Sequence, residues 1–90
     1  MVERSVTVPA GLGLHARPAS RLVQAAADAP ISVTVARPDG APVNAKSILA
    51  LLGLDIRGGE QVVLRADGPG AEETLDHIAR VVMAMPPADG

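Results

Sequence analysis

Apolar and polar residues alternate in several short runs of this sequence, and each run has the pattern of a strand with one buried face. The clearest run opens the chain, where Val2, Val6 and Val8 alternate with polar neighbours until Pro9 ends the pattern. Two further runs flank the Pro-Asp-Gly sequence at 38–40, which forms turns readily and predicts a hairpin. The predicted strands cover residues 2–8, 31–36, 41–44 and 61–67.

Between these strands the apolar residues follow the spacing of helices. Pro18 is compatible with the first helix because N–H groups of a first turn have no partner inside the helix. Ser47 is a suitable N-cap for the second helix, and Glu72 and Glu73 suit the positive end of the third. The predicted helices cover residues 16–27, 46–52 and 71–85. The buried stripe of the last helix is predicted to contain Leu75, Ile78, Ala79, Val82 and Met85.

The resulting order of elements is β-α-β-β-α-β-α, which is typical of the α+β class. Short strands interleaved with helices and one tight hairpin favour a sandwich of two layers. The 90 residues are enough for one small domain, and no linker or internal repeat divides them. We therefore expect a single domain over residues 1–90, with residues 86–90 as a frayed tail.

Composition narrows the classes of function. With 0% aromatic residues the core must be aliphatic, and the stacking platforms of common single-strand nucleic-acid binders are absent from the sequence. A net charge of −2 without a basic run argues against binding to DNA or to a membrane surface. The 0 cysteines exclude thiol chemistry and cysteine-based zinc sites. Because neither a signal peptide nor a membrane-spanning run is recognisable, we expect a soluble cytoplasmic protein. With 2 histidines and 0 cysteines in the sequence, we also expect no metal, and we expect no cofactor.

The most unusual stretch is Gly-Leu-His-Ala-Arg-Pro-Ala-Ser at residues 13–20. His15 stands at or beside the N-cap of the first helix, where unpaired N–H groups favour anions. Arg17 adds a permanent cation whose planar fork of donors matches phosphate. Since imidazole has an ordinary pKa of about 6.5, a neutral His15 could accept a phosphoryl group near neutral pH. The alternative is an ordinary exposed cap residue, and the residues alone leave both interpretations open.

Ser47 and the apolar residues after it also allow more than one interpretation. Ser47 is a structural N-cap, a phosphorylation site at a helix N-terminus, or both. The helix is too short for all of Ile48, Leu49 and Leu52 to face one core, so some of them are expected to form an exposed docking patch. The alternative places Ile48 and Leu52 in the core. His77, beside the stripe of the last helix, is predicted to be structural or exposed.

Motifs that bind a phosphate donor are not recognisable in the sequence. It contains no P-loop, no glycine-rich dinucleotide loop after a strand, no HExxH and no pair of carboxylates at a suggestive spacing. If phosphate chemistry takes place at His15, another protein must therefore bind the donor.

Two motifs resemble the signatures of the histidine-containing phosphocarrier (HPr) family of the bacterial phosphotransferase system. Residues 14–19, Leu-His-Ala-Arg-Pro-Ala, are similar to the family's active-site signature. Residues 43–48, Val-Asn-Ala-Lys-Ser-Ile, are similar to the signature around its regulatory serine. The resemblance covers nearly the whole chain in length and element order. It implies the family's open-faced sandwich, a four-stranded antiparallel sheet with three helices on one face.

The resemblance also implies a function. His15 would accept a phosphoryl group on Nδ1 from enzyme I, which phosphoenolpyruvate charges, and pass it to sugar-specific IIA components during sugar uptake. Arg17 would compensate the charge of the phosphate. Ser47 would match the serine that an HPr kinase/phosphorylase modifies in many Gram-positive relatives, with a transcriptional regulator as a further partner. The family's docking patch would contain Ile48, Leu49 and Leu52. The chain would then be a carrier that is itself phosphorylated rather than an enzyme, and we expect a monomer.

Two other classes of function remain open at this point. An acylphosphatase-like phosphohydrolase would use Arg17 to hold phosphate and Asn44 to place water, and no phosphoprotein would accumulate. A regulatory binding module would carry out no covalent chemistry, although HPr-like regulators without carrier activity lack the histidine that this chain has at position 15.

Overall fold

The computed structural model describes residues 1–9 and 16–84, without the side chains of residues 16–18. Its strands are β1 (Val2–Thr7), β2 (Val33–Ala36), β3 (Val43–Asn44) and β4 (Gln61–Ala66). Its helices are α1 (Ala16–Ala27), α2 (Ile48–Gly53) and α3 (Ala71–Ala84). The order of elements is the one that the sequence pattern predicts.

The strands form one antiparallel sheet in the order β1-β4-β2-β3, so β4 lies between β1 and β2. Val6 pairs with Val62, and both side chains are buried on the helical face. At alternate positions the side chains point to the other, open face, where Glu3 pairs with Arg65. The predicted open-faced α+β sandwich, with a four-stranded antiparallel sheet and three helices, is confirmed.

The core lies between the sheet and the helices and is entirely aliphatic. Helix α3 packs on β1 and β4 and against α1, and α1 also contacts α2. Burying a leucine, isoleucine or valine side chain completely stabilises the fold by about 1.5–3 kcal/mol, so many modest contributions replace the aromatic anchors of other cores. The largest fully buried side chains belong to Leu22, Leu51, Leu64, Leu75, Ile78, Val8, Val33, Val35, Val62 and Val82.

All four strands are shorter than the sequence pattern indicates: β1 and β4 each end one residue earlier, and the differences are larger in β2 and β3. Strand β2 begins at Val33 because Val33 pairs with the last residue of β4, which leaves earlier residues without a partner strand. Ile31 instead packs at Gly68, where φ is +122° and an added Cβ would lie 3.2 Å from Ile31 Cγ2. Strand β3 has only two residues because it pairs with Thr34 and Val35 alone.

In the described parts of the chain, no helix is long and apolar enough to cross a membrane. Residues 1–9 and 16–84 also contain no group of three or more potential metal-binding side chains. Position 85, the predicted end of the last helix, and the predicted tail over residues 86–90 lie outside the described residues.

Candidate functional site

The start of α1 is the first part of the candidate site. The helix begins at Ala16, which directly follows His15 in the sequence. His15 itself and the side chain of Arg17 lie outside the described residues. The N–H groups of the first turn of α1 have no partner inside the helix, and they form the positive end of its dipole. Ala19 and Leu22 are fully buried, so the first turns of α1 are anchored in the core.

Strand β1 ends shortly before residues 10–15, and hydrogen bonds hold its end in place. Val8 is fully buried, and its N–H donates to the carbonyl oxygen of Glu60 at 2.8 Å. Its carbonyl oxygen accepts from the N–H of Gly59 at 2.8 Å. These two bonds continue the pairing of β1 with β4 beyond Thr7. These hydrogen bonds therefore fix the position of Val8, after which the chain continues toward His15.

Ser47 caps α2 as the sequence predicts, but the helix covers Ile48–Gly53 and not the predicted residues 46–52, because the residue that caps it lies outside the helix. Its backbone is extended, with φ −110° and ψ 111°, and its Oγ accepts a hydrogen bond from the N–H of Ala50 at 3.2 Å. Asn44 Oδ1 accepts from the N–H of Lys46 at 2.9 Å and so shapes the turn before the cap. Lys46 Nζ donates to the carbonyl oxygen of Ala29 at 3.3 Å. This lysine supplies a cation near the end of α1, which has no basic residue in its own last turn.

The apolar side chains of α2 divide between the core and the surface. Leu51 is fully buried, whereas Leu49 is 79% exposed and Ile48 is 36% exposed. Leu52 is half-buried and packs against the core. We refer to Ile48, Leu49 and Leu52 as the α2 patch, with Leu49 as its most exposed member. Sequence reasoning missed the burial of Leu51, because residues 48–52 are all apolar and show no periodicity.

A polar cluster beyond the end of α2 was also missed. Arg37 Nε donates to the carbonyl oxygen of Leu54 at 3.0 Å, and Nη2 donates to that of Asp55 at 2.7 Å. Nη1 donates to the carboxylate of Glu60, which also accepts from the N–H of Arg57 at 2.8 Å. The hydrogen bond from Arg37 is the main reason why the pKa of Glu60 is lowered. No local pattern could reveal this cluster, because 23 positions separate Arg37 from Glu60.

Asn44 lies on the face of the sheet opposite the helices. It pairs with Thr34, which in turn pairs with Arg65 on the open face. Its amide oxygen already accepts from Lys46. Asn44 therefore lies on the face away from the helices, and the side chain of Arg17, its partner in the alternative hydrolase site, lies outside the described residues.

The end of the sheet far from α2 holds a separate pair of charges. Arg4 Nε donates to Asp76 Oδ1 on α3 at 3.1 Å, which joins β1 to that helix. The neighbouring His77 is exposed, as predicted.

Comparisons with known proteins identify the family of this fold. A family model described as "PTS HPr component phosphorylation site" matches residues 2–84. Phosphocarrier protein HPr of Streptomyces coelicolor is 52% identical over 82 residues, which cover 91% of this chain and 88% of that protein. The crystal structure of HPr from Bacillus anthracis has a TM-score of 0.83 at 37% identity and covers 90% of this chain and 95% of that one. The crystal structure of Crh from Bacillus subtilis, described as an intertwined dimer with a swapping domain, has a TM-score of 0.73 at 38% identity. The match covers 96% of this chain and 98% of the Crh chain.

Proposed function

Because the chain belongs to the HPr family, the phosphoryl carriers of the phosphotransferase system, we propose that His15 is the residue that carries the phosphoryl group. The observation that carries this proposal is the start of α1 at Ala16, directly after His15. A phosphoryl group there would be stabilised by the unpaired N–H groups and the positive dipole end of the helix. The chain is then a substrate and donor for enzymes and needs no donor-binding motif of its own.

In the proposed step, Nδ1 of a neutral His15 attacks the phosphorus atom of phosphorylated enzyme I. A nitrogen–phosphorus bond forms, and the bond between phosphorus and the donor atom breaks with its electron pair left on the donor. The same exchange in a second complex passes the group to a IIA component. Neither step uses a metal or a cofactor of the carrier.

Incubation with phosphoenolpyruvate and enzyme I, followed by intact mass measurement, tests the role of His15. The wild-type protein should gain one phosphoryl group that acid removes. His15→Ala should fold and remain unmodified. His77→Ala is the matched control, because His77 is exposed on α3 and is the second of the 2 histidines in the chain. Labelling of His15→Ala to the wild-type extent would falsify the proposal.

Arg17 is proposed to pair with the phosphate on His15. Hydrogen bonds to charged groups contribute about 1.5–3 kcal/mol, so Arg17→Ala should slow transfer to and from His15 by roughly tenfold to a hundredfold. Rapid-quench kinetics measures both directions. Arg21→Ala is the matched control, since Arg21 is exposed one turn further along the same helix. Equal rates for the Arg17 variant and the wild type would mean that Arg17 is only a solvated charge.

Ser47 is proposed as a regulatory phosphorylation site, with an HPr kinase/phosphorylase and a transcriptional regulator as further partners. The support is its position as the cap of α2, directly before Ile48 and Leu49 of the exposed patch. A phosphate there adds a charge of about −1.5 to −2, which would oppose the docking of a partner on the patch.

Two substitutions separate docking from capping at Ser47. Ser47→Asp should retain stability, because aspartate also caps helices, but should weaken the phosphorylation of His15 by enzyme I. Ser47→Ala should lower the free energy of unfolding by about 1 kcal/mol and leave that phosphorylation unchanged. If Ser47→Asp accepts phosphate as fast as the wild type at every enzyme I concentration, Ser47 is a structural cap only.

We also propose that the carrier works as a monomer in the cytoplasm, alternating between enzyme I and IIA components. The support for a monomer is that β1 pairs with β4 along all six of its residues, so the sheet needs no strand from a second chain. Sedimentation velocity should give the mass of one chain with and without the phosphoryl group. A species of twice that mass at working concentrations would contradict the monomer.

A further inference from the structure

Arg37 lies outside the α2 patch, yet it donates to three acceptors on the segment that follows α2. We propose that Arg37 is a positioning residue for phosphoryl transfer, which holds α2 and the end of β1 in the relation that a partner must recognise. The inference rests on the proposed role of His15. It assigns to Arg37 no contact with the phosphate or with the reacting nitrogen.

The first element that Arg37 holds is α2. This helix has six residues and a single fully buried side chain, Leu51. A helix of this length is not stable by itself, so its orientation depends on the packing of Leu51 and Leu52 against the core and on the contacts at its ends. Beyond its C-terminal end, the carbonyl oxygens of Leu54 and Asp55 both accept from Arg37. Without the guanidinium, both carbonyl oxygens lose the group that donates hydrogen bonds to them.

The second element that Arg37 holds, through Glu60, is the end of β1. The carboxylate of Glu60 accepts from Arg37, and the main chain of Glu60 accepts from Val8. Val8 directly precedes Pro9, which is the last described residue before the segment that leads to His15. Through Glu60, one guanidinium therefore connects the helix that bears the patch with the strand from which the chain runs to His15.

A partner that docks on the α2 patch and reacts at His15 needs the patch and His15 at a fixed distance and orientation to each other. If that relation fluctuates, only a fraction of the carrier is competent to dock, and the apparent affinity falls by that fraction. The complex, once formed, is the same as in the wild type. Loosening the cluster should therefore raise KM for the carrier and leave kcat nearly unchanged.

The test compares two arginines of similar exposure, Arg37 directly after β2 and Arg65 in β4. Arg37 is 38% exposed and pairs with Glu60, whereas Arg65 is 34% exposed and pairs with Glu3 on the open face, away from α2. Initial rates of phosphorylation by enzyme I are measured at a temperature where every variant is folded. Arg37→Ala should raise KM roughly threefold to tenfold, as expected when about 10–30% of molecules are competent. Arg65→Ala should leave KM unchanged, and Arg37→Lys should lie between, because an ammonium lacks the planar fork.

Amide hydrogen exchange provides a second readout. The N–H groups of Val8 and Gly59 should exchange faster in Arg37→Ala than in Arg65→Ala, because the first donates to the carbonyl oxygen of Glu60 and the second to the carbonyl oxygen of Val8. A wild-type KM in Arg37→Ala, or a fall in kcat alone, would overturn the positioning role while His15 is still phosphorylated. A wild-type protein that takes up no phosphoryl group would overturn the proposed function instead, and the exchange data would still decide whether Arg37 holds this segment.

Discussion

Helices α2 and α3 are held to the fold in different ways. Helix α3 has 14 residues, and its buried stripe contains Ala71, Leu75, Ile78 and Val82. Helix α2 has six residues, and only Leu51 is buried on it. One helix is attached by a continuous apolar face, whereas the other has one fully buried side chain, the partly buried Leu52 and polar contacts at both ends.

The polar contacts of α2 allow Ile48 and Leu49 to remain at the surface. The Ser47 cap satisfies an N–H group at one end, and Arg37 holds the carbonyl groups beyond the other end. Ile48 and Leu49 are therefore available to a partner. A helix that exposes apolar side chains to a partner protein therefore depends more on polar contacts for its attachment to its own fold.

The largest expected effect is the loss of an apolar contact under α3. Leu75→Ala removes a fully buried side chain and should lower the free energy of unfolding by about 2–5 kcal/mol. Leu49→Ala, at a position that is 79% exposed, should change it by no more than about 0.5 kcal/mol. Urea unfolding measures both values. Equal losses at the two leucines would contradict the difference between the helices.

Charge on the α2 patch should affect docking and not stability. Leu49→Glu should reduce kcat/KM for phosphorylation by enzyme I about tenfold, the loss that corresponds to about 1.4 kcal/mol of binding. Its free energy of unfolding should stay within about 0.5 kcal/mol of the wild type. Met83→Glu is the control, because Met83 is 66% exposed on α3. A similar loss of phosphorylation in the control would mean that any added carboxylate is harmful.

Two substitutions at the C-terminal end of α2 are expected to stabilise the fold. Asp55 has a φ of +51°, a conformation that glycine adopts with less strain, whereas Gly53 lies within the helix and an added Cβ would meet nothing within 4 Å. Asp55→Gly and Gly53→Ala should each raise the free energy of unfolding by about 0.5–1 kcal/mol. Thermal unfolding of the single and double variants checks this. Destabilisation by Asp55→Gly would show that its side chain outweighs the backbone strain.

The smallest effect is expected in the pH dependence of the Arg37 cluster. The pKa of Glu60 is lowered from its ordinary value of 4.5, mainly by the hydrogen bond from Arg37. The pair therefore stabilises the fold fully above pH 4.5, and this contribution is lost as the pH falls through the lower pKa of the folded protein. Glu60→Gln should flatten this part of the acid unfolding profile. NMR titration should show a higher Glu60 pKa in Arg37→Ala, and an unchanged pKa would exclude Arg37 as its main cause.

The elements that local pattern defines could be predicted from the sequence. The alternation of the first residues predicts β1, and apolar spacing predicts the bounds of α1 at Ala16 and Ala27, which the structure confirms. The cap at Ser47 is also local, since Oγ needs only the N–H of Ala50 three positions later. Motifs such as the one around His15 are visible for the same reason, because neighbouring residues form them.

The tertiary structure decided what depends on residues far apart in the chain. The start of β2 follows from where β4 ends, and the burial of Leu51 rather than Leu49 follows from how α2 meets the core. The link between Arg37 and Glu60 spans 23 positions and leaves no periodic signal. By itself, the sequence determined the order of the elements, the family motifs and the local caps, because these depend on neighbouring residues. Which apolar face is left for a partner, and what holds α2 in place, depended on packing between elements that only the folded chain brings together.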